Sequence, residues 1–239
     1  MEMKAVIMAG GRGTRLRPLT GSMPKPMVPI LDKPVLALTV SSLVRSGITD
    51  IAMTLGYMPE RIINYFGNGS KLGARITYFV ESTPLGTSGG VKNAAKFIDR
   101  PFVVMSGDAL TDFNIGKFVK YHEDMSCLCT LAAKRVADPR GMGEVVPGIG
   151  GRIAALREKP QKYTSDLVNM GIYAMQEDIL KHIPSGVSDF SKDIFPVILS
   201  EMRLYIADCY WSDIGTLIGY YSANIDAAMQ PARFGLKIV

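Results

Sequence analysis

Short apolar runs alternate with amphipathic stretches through the first 135 residues of the chain. Apolar runs of about four to eight residues are typical of buried strands, and apolar residues spaced three and four apart are typical of helices. Strands are predicted at 4–9, 50–55, 75–80, 101–105 and 126–135. Helices are predicted at 34–45, 59–66, 88–98 and 115–123. This alternation favours an α/β fold with a mostly parallel sheet.

The pattern becomes less regular from about residue 139. The predicted elements are a hairpin around 148–151, strands at 167–175 and 204–207, and helices at 190–201 and from 215 onward. Pro196 predicts a kink or a break within its helix. This second half is therefore α+β and is expected to pack on the same sheet. The last segment, 229–239, shows no periodicity and is expected to form a loose tail.

The composition is that of an ordinary globular protein. Hydrophobic residues make up 47% of the 239 residues and charged residues 21%, and the net charge is +5. The basic residues are spread except near the start, so a small anionic ligand explains them better than a nucleic acid does. No apolar run has the length of a membrane span or the form of a signal peptide. No membrane partner is expected, and the expected location is cytoplasmic.

The chain has three cysteines, an odd and small number that does not indicate a disulfide framework. Cys127 and Cys129 alternate within an apolar run, so both are expected on one face of a buried strand. His122 is expected on a helix face, and Trp211 is expected to pack beside Asp213. Neither histidine has the partner that a zinc protease helix needs.

The most informative segment is "MAGGRGTRLRPLTGSMPKPMVPI", which follows the first predicted strand. In open α/β sheets, ligands bind beyond the carboxyl ends of the strands. Glycines there let backbone N–H groups approach an anion, and basic side chains add positive charge. The segment supplies Gly10, Gly11, Gly13, Arg12, Arg15, Arg17 and Lys25. It predicts a phosphate site, although a plain glycine-rich turn stays open.

Two familiar phosphate loops do not match this segment. A dinucleotide fingerprint would need glycine at Leu16, and a Walker-type loop would need lysine at Thr14. The segment instead resembles the signature of the sugar-1-phosphate nucleotidyltransferases, G-G-x-G-T-R-L-x-P-L-T followed by P-K-P. The stretches "ESTPLGTSGGVKNA", "SGDALTDFN", "REKP", "VNMGIYAM" and "CYWSDIGT" follow in the order that this family uses. The resemblance is greatest to the mannose-1-phosphate guanylyltransferase branch.

The resemblance implies a Rossmann-like three-layer fold with a mixed, mostly parallel sheet. It implies a nucleotidyltransferase domain at 1–228, with a nucleotide-binding part at about 1–138 and a small α+β sugar-binding part at about 139–228. No second module is expected after it. The implied reaction moves a nucleotidyl group from a nucleoside triphosphate to a hexose-1-phosphate and releases pyrophosphate. The best substrate pair is GTP with mannose-1-phosphate, which would give GDP-mannose.

Site residues carried over from the family fall into three groups. The implied catalytic residues are Arg15 on the triphosphate, Lys25 between the two reacting phosphates, and Asp108. The implied nucleotide-binding residues are Met8, Gly10, Gly11, Arg12, Gly13, Thr14, Arg15, Leu85, Gly86 and Thr87. The implied sugar-phosphate residues are Lys25, Gly143, Glu158, Lys159, Asn169 and Gly171. Met142 stands where the family often has tyrosine.

Asp108 ends an apolar strand at the ligand edge of the sheet, which suits Mg²⁺. Asp213 resembles the family's second metal carboxylate, and Asp112 is a nearby competitor of Asp108. Either aspartate could instead belong to a simple turn or helix cap. Ser88 or Thr87 could likewise serve only as a helix cap.

Other functions stay open at this stage. The same reaction could use UTP or dTTP with glucose-1-phosphate or an amino-sugar-1-phosphate. A non-catalytic sensor of nucleotide sugars is the alternative from another class, although Arg15, Lys25, Asp108 and Asp213 are all retained. A homo-oligomer is compatible with the sequence, which does not fix the oligomeric state.

Overall fold

The computed structural model describes residues 3–236, and most of its regular structure is a sheet with helices on both faces. The strands are β1 (Lys4–Met8), β2 (Pro29–Ile30), β3 (Lys33–Pro34), β4 (Asp50–Leu55), β5 (Arg75–Val80), β6 (Phe102–Ser106), β7 (Ala109–Thr111), β8 (Cys129–Arg135), β9 (Gly143–Pro147), β10 (Ile153–Glu158), β11 (Leu167–Met175), β12 (Met202–Ile206) and β13 (Trp211–Asp213). The α-helices are α1 (Val35–Arg45), α2 (Pro59–Phe66), α3 (Gly86–Asn93), α4 (Ile115–Met125), α5 (Phe195–Ile198) and α6 (Leu217–Met229).

Nine strands form the central sheet in the order β10-β9-β11-β6-β1-β4-β5, with β8 paired to β11 and β12 paired to β8. Strands β10 and β11 run opposite to the other seven. The expectation of an α/β fold with a mixed, mostly parallel sheet is therefore confirmed. The second half of the chain completes this sheet.

Successive side chains of a strand point to opposite faces, and the two faces carry separate cores. In β1, Ala5 and Ile7 join the core under α1, α2 and α4, whereas Val6 joins the core on the other face. That second core contains Val91 of α3 and Phe195 of α5. The alternation produces the three layers.

The parallel strands are aligned so that their carboxyl ends meet. Met8 at the end of β1 pairs with Ser106 at the end of β6 and with Thr54 near the end of β4. Everything that directly follows β1, β4 and β6 therefore lies at one edge of the sheet. The glycine-rich opening segment and Asp108 both follow these ends.

Several local expectations need correction. Cys127 lies before β8, which begins at Cys129, so the two cysteines do not share a strand face. Neither Thr87 nor Ser88 caps α3, because that helix begins at Gly86 without a side-chain cap. The hairpin of β2 and β3 and the short pair of β7 and β13 were not predicted. Each of these strands has only two or three residues, too few to show a period.

The final segment is also more ordered than expected as far as Leu236. A short 3-10 helix at Pro231–Phe234 follows α6, and Phe234 and Leu236 are buried in a third core. Residues 237–239 of the expected tail lie outside the described residues. The helix predicted at 190–201 is present as consecutive π, α and 3-10 turns, with Pro196 in the first turn of α5. No helix within residues 3–236 is both long enough and apolar enough to span a bilayer.

His122 lies on α4, but its side chain is buried and is only 1% exposed. Its Nδ1 lies 2.8 Å from the Thr130 hydroxyl, and its Nε2 lies 3.1 Å from the Gln176 amide nitrogen. Burial lowers the pKa of His122 to about 4, against an ordinary value of 6.5. The imidazole is therefore neutral near pH 7.

This burial predicts a loss of stability in mild acid. Between pH 6.5 and 4 the unfolded chain binds a proton at His122 that the folded chain does not. The free energy of unfolding should therefore fall by about 3 kcal/mol across this interval. We expect His122→Gln to flatten that part of the stability–pH profile measured by urea unfolding. The matched change at exposed His182 should leave the slope in place, and a wild-type slope in the His122 variant would contradict the assignment.

Candidate active site

Three charged side chains from distant parts of the chain meet at the edge of the sheet. The Nζ of Lys25 lies 2.7 Å from Asp108 Oδ2 and 3.0 Å from Asp213 Oδ1. Asp108 lies between β6 and β7, and β13 pairs with β7 so that Asp213 stands opposite Ala109. The short β7–β13 pair thus brings together two carboxylates that are far apart in sequence.

The loops around this triad are built to fit it. Gly13 has φ +61°, and a Cβ there would lie 2.7 Å from the Lys25 Cβ. A Cβ at Gly215 would lie 2.9 Å from Lys25 Nζ and from both Asp213 carboxylate oxygens. Asp213 also accepts a hydrogen bond from the Gly215 N–H, and Asp108 accepts one from the Ser106 hydroxyl. Glycine is thus required where the backbone passes the charged groups.

Lys25 is nearly buried, with 7% of its surface exposed. Burial opposes its charged form, but the carboxylates of Asp108 and Asp213 outweigh that cost and raise the pKa of Lys25. The ammonium is therefore charged at neutral pH. It is held where two carboxylates face each other, so it neutralises a pair that would otherwise repel.

The same two carboxylates could hold a divalent metal ion. Each already places an oxygen within 3.0 Å of one cationic atom, so the pair is spaced to bind a cation between them. Within the described part of the chain, no group of three or more histidine, cysteine or acidic residues could hold a metal. Mg²⁺ suits a site of this kind, because it binds through one or two carboxylates and completes its shell with waters and substrate phosphates.

A cavity of about 240 Å³ opens on one side of the triad. All six residues implied for the sugar phosphate line it: Lys25, Gly143, Glu158, Lys159, Asn169 and Gly171. The β9–β10 hairpin pairs Gly143 with Glu158, and β11 crosses beside them at Val168. Arg15, which is implied for the nucleotide, lines this first cavity and not the second one described below.

A second cavity, of about 310 Å³, opens on the other side of Asp108. Among the residues implied for the nucleotide, it is lined by Met8, Gly10, Gly11, Gly86 and Thr87. Ser106 and Asp108 line both cavities, so the two spaces meet at the triad.

Comparison with known proteins identifies the family of the chain. The family described as Nucleotidyl transferase matches residues 4–230. The chain belongs to the nucleotidyl transferase family. It is 35% identical to a mannose-1-phosphate guanylyltransferase of Mycobacterium tuberculosis, over 94% of this chain and 64% of that protein. It is also 35% identical to a UTP–glucose-1-phosphate uridylyltransferase of Synechocystis, over 92% of this chain and 62% of that protein.

A solved structure extends the family comparison. HddC from Yersinia pseudotuberculosis, complexed with GMP-PN, has a TM-score of 0.83 and 28% identity, covering 94% of this chain and 99% of that one. The expected membership in the sugar-1-phosphate nucleotidyltransferases is thereby confirmed. The chain spans slightly more than three fifths of the length of the two curated relatives.

Some residues carried over from the family lie outside both cavities of this nucleotidyl transferase chain. They are Arg12, Gly13, Thr14 and Leu85. Gly13 shapes the loop over Lys25, and the Leu85 N–H donates to Glu81 Oε2 at 3.1 Å. Arg12 is exposed beside the opening loop. Their proposed contacts with nucleotide stay predictions.

Asp112, the competitor of Asp108, does not take part in the triad. Its carboxylate pairs with Arg233 at 2.5 Å and accepts a hydrogen bond from the Tyr210 backbone at 2.6 Å. It ties the last 3-10 helix to the segment after β7. Of these two aspartates, Asp108 is the one that lines the cavities.

Several residues of the two cavities were not predicted from the sequence. Glu81 and Asp189 line the second, and Asp189 accepts a hydrogen bond from Thr87 at 2.9 Å. Trp211 packs against the core as expected and also lines the first. Tyr163 bonds to Gly141 and to the Met142 carbonyl, fixing the loop where the family often has tyrosine. Glu81 follows β5 as closely as Asp108 follows β6, and this signal could have found it.

Proposed function

We propose that the chain transfers a nucleotidyl group from a nucleoside triphosphate to a hexose-1-phosphate. The observation that carries this proposal is the position of the Lys25–Asp108–Asp213 triad where two cavities meet. A reaction between two phosphorylated substrates needs two adjoining spaces and a charged group that reaches both reacting phosphates. The second cavity is lined largely by the segments that follow β1 and β5, and the first holds the cationic side chains Arg15, Lys25 and Lys159. These linings suit a nucleotide and a sugar phosphate respectively.

In this proposal the chain acts by positioning and by neutralising charge. An oxygen of the sugar phosphate attacks the α-phosphorus, a new P–O bond forms, and the bond to the leaving pyrophosphate breaks. The Lys25 ammonium leaves its carboxylates to bridge the two phosphates. Arg15 holds phosphate oxygens, and Lys159 binds the sugar phosphate. Asp108 and Asp213 would hold Mg²⁺, which supplies Lewis-acid neutralisation of the triphosphate when it is bound.

The nucleotide that we propose is GTP, and Glu81 is the physical reason. Its carboxylate lines the second cavity, and burial raises its pKa against the effect of the Leu85 hydrogen bond. Guanine presents two adjacent donors, N1–H and N2–H, to which a carboxylate can accept in parallel. Uracil presents a single N–H between two carbonyl groups. The oxygens of those carbonyl groups would be repelled by a carboxylate.

The sugar that we propose is mannose-1-phosphate. Support comes from the M. tuberculosis relative, which carries that substrate in its name. A UTP-dependent glucose-1-phosphate uridylyltransferase is the second candidate, because the Synechocystis relative is equally similar. A pocket whose shape is set by loops can also admit a second substrate of nearly the same size. Measurable side activity with glucose-1-phosphate is therefore expected.

The proposal is tested by pyrophosphate release from GTP, UTP and dTTP, each with mannose-1-phosphate and glucose-1-phosphate at fixed Mg²⁺. We expect GTP with mannose-1-phosphate to give the highest kcat/KM. A tenfold advantage of UTP or dTTP with glucose-1-phosphate would reject the guanylyl assignment and keep the reaction. Absence of pyrophosphate from every pair, together with tight binding of a nucleotide sugar, would favour a sensor.

Glu81→Gln is expected to narrow the preference for GTP over UTP by at least about tenfold in kcat/KM, since an amide places a donor against one of the two guanine donors. The matched control is Glu158→Gln in the other cavity. That change should lower kcat/KM for both nucleotides by the same factor. An unchanged GTP-to-UTP ratio in Glu81→Gln would remove Glu81 from base selection.

A further inference from the structure

Helix α6 exposes an apolar face to solvent, which is unusual for a helix at the surface of a soluble domain. Ile218 is 81% exposed, Met229 is 75% exposed and Tyr221 is 68% exposed. Leu217 and Ile225 are exposed as well. At about 100° per residue these side chains fall within one arc of the helix. Ser222 and Ala228 are the other exposed residues of that arc, so the whole arc is uncharged.

The opposite side of α6 is already occupied by the rest of the domain. Ala223 and Ala227 are buried, and the Tyr220 hydroxyl donates to the Pro29 carbonyl at 2.9 Å. Asn224 accepts a hydrogen bond from the Leu31 N–H at 2.9 Å. Asp226 is the one charged residue of the helix, and its carboxylate accepts a hydrogen bond from Tyr210. The helix therefore has a fixed inner side and an apolar outer side.

The exposed apolar area has the size of half an interface. A fully exposed large side chain presents about 200 Å², so the five exposed fractions together give about 600 Å² per chain. That is near the upper end of the largest apolar patch on typical monomers. Two such faces brought together would bury about 1,200 Å², the lower bound of specific protein–protein interfaces.

The chemistry of the face favours a second copy of this chain as its occupant. An uncharged arc can meet itself without like-charge contacts, although the chain carries a net charge of +5. Most soluble homo-oligomers are two-fold dimers that use the same patch on both subunits. We propose that α6 forms a homodimer interface, in which the exposed arcs of two α6 helices pack across a two-fold axis near Ile225.

The first test is the mass of the chain in solution by sedimentation velocity, over about 1 to 100 µM, because an interface of this size need not be tight. We expect a mass that rises to that of a dimer. Ile218→Glu combined with Met229→Glu should give a monomer throughout. The matched control is Ile149→Glu, at a 95% exposed apolar position in the turn between β9 and β10. It should leave the dimer intact.

A second variant keeps the proposal testable if the charged pair does not fold. Ile225→Cys should give a disulfide-linked dimer under mild oxidation, with wild-type protein showing the background from its own cysteines. A wild-type chain that stays monomeric at every concentration would overturn the proposal. So would a dimer that persists in the folded α6 variant, or no cross-linking above background at Ile225→Cys. If the wild-type chain is monomeric, the apolar face of α6 would instead be covered by another segment or by a different partner.

Discussion

Lys25→Met is expected to lower kcat by about a hundredfold or more while the fold is retained, because the variant removes a preorganised charge aimed at phosphate. The ammonium is nearly buried between Asp108 and Asp213, so the variant leaves both carboxylates without this partner. Pyrophosphate release with GTP and mannose-1-phosphate measures the loss. Lys33→Met, on β3 outside both cavities, is the matched control and should keep near-normal turnover.

The same variant should also change stability in a way that activity does not report. Without the ammonium, the carboxylates of Asp108 and Asp213 face each other uncompensated, so the melting temperature in EDTA should fall below that of wild type. Added Mg²⁺ should raise the melting temperature more in Lys25→Met than in wild type, where the metal must displace an ammonium. Equal metal-induced shifts in the two proteins would mean that Lys25 and the metal do not compete for the carboxylate pair.

The sheet and most helices were predictable because these elements are long enough for their apolar pattern to be recognised in the sequence. Strands β1, β4 and β6 are continuous apolar runs, as expected for parallel strands buried on both faces. The β7–β13 pair has only three residues per strand, and its pairing joins segments about a hundred residues apart. No local sequence pattern predicts this pairing, although the pairing places Asp213 beside Asp108.

Within the site, the sequence indicated residue types better than it indicated contacts. Lys25 was expected beside phosphate, and in the structure its ammonium pairs with two carboxylates, which was not expected. These ion pairs join residues that only the folded chain brings together, so no sequence motif describes them. Glu81 was not among the implied site residues, although it directly follows β5. The parallel pairing of β5 with β4 brings the end of β5 to the same edge of the sheet as the ends of β1 and β4, so Glu81 reaches the second cavity.

The segment between α6 and Leu236 shows a further limit of periodicity. The segment after α6 has no helical or strand pattern, yet Phe234 packs edge-on against Tyr210, and Arg233 pairs with Asp112. Tertiary contacts alone order such a segment. Helix α6 is the converse case, because it carries apolar residues on both its buried and its exposed side. The pattern alone therefore does not indicate which side is buried.

Asp213→Asn and Asp108→Asn are each expected to abolish the Mg²⁺-dependent part of the rate, because each removes one of the two carboxylates proposed to hold the metal. The amide keeps the shape of the side chain, and Lys25 keeps one ionised partner in either variant, so both proteins should fold. Asp112→Asn is the matched control, since Asp112 lies in the same segment as Asp108 but pairs with Arg233. It should lower stability and leave the metal dependence of kcat unchanged.

Calorimetry without nucleotide tests whether the carboxylates of Asp108 and Asp213 bind the metal or only pair with Lys25. Both asparagine variants should bind Mg²⁺ more weakly than wild type. Wild-type Mg²⁺ affinity in both variants, or full activity of the wild-type enzyme in EDTA, would remove the metal from this site and leave the carboxylates as partners of Lys25 alone.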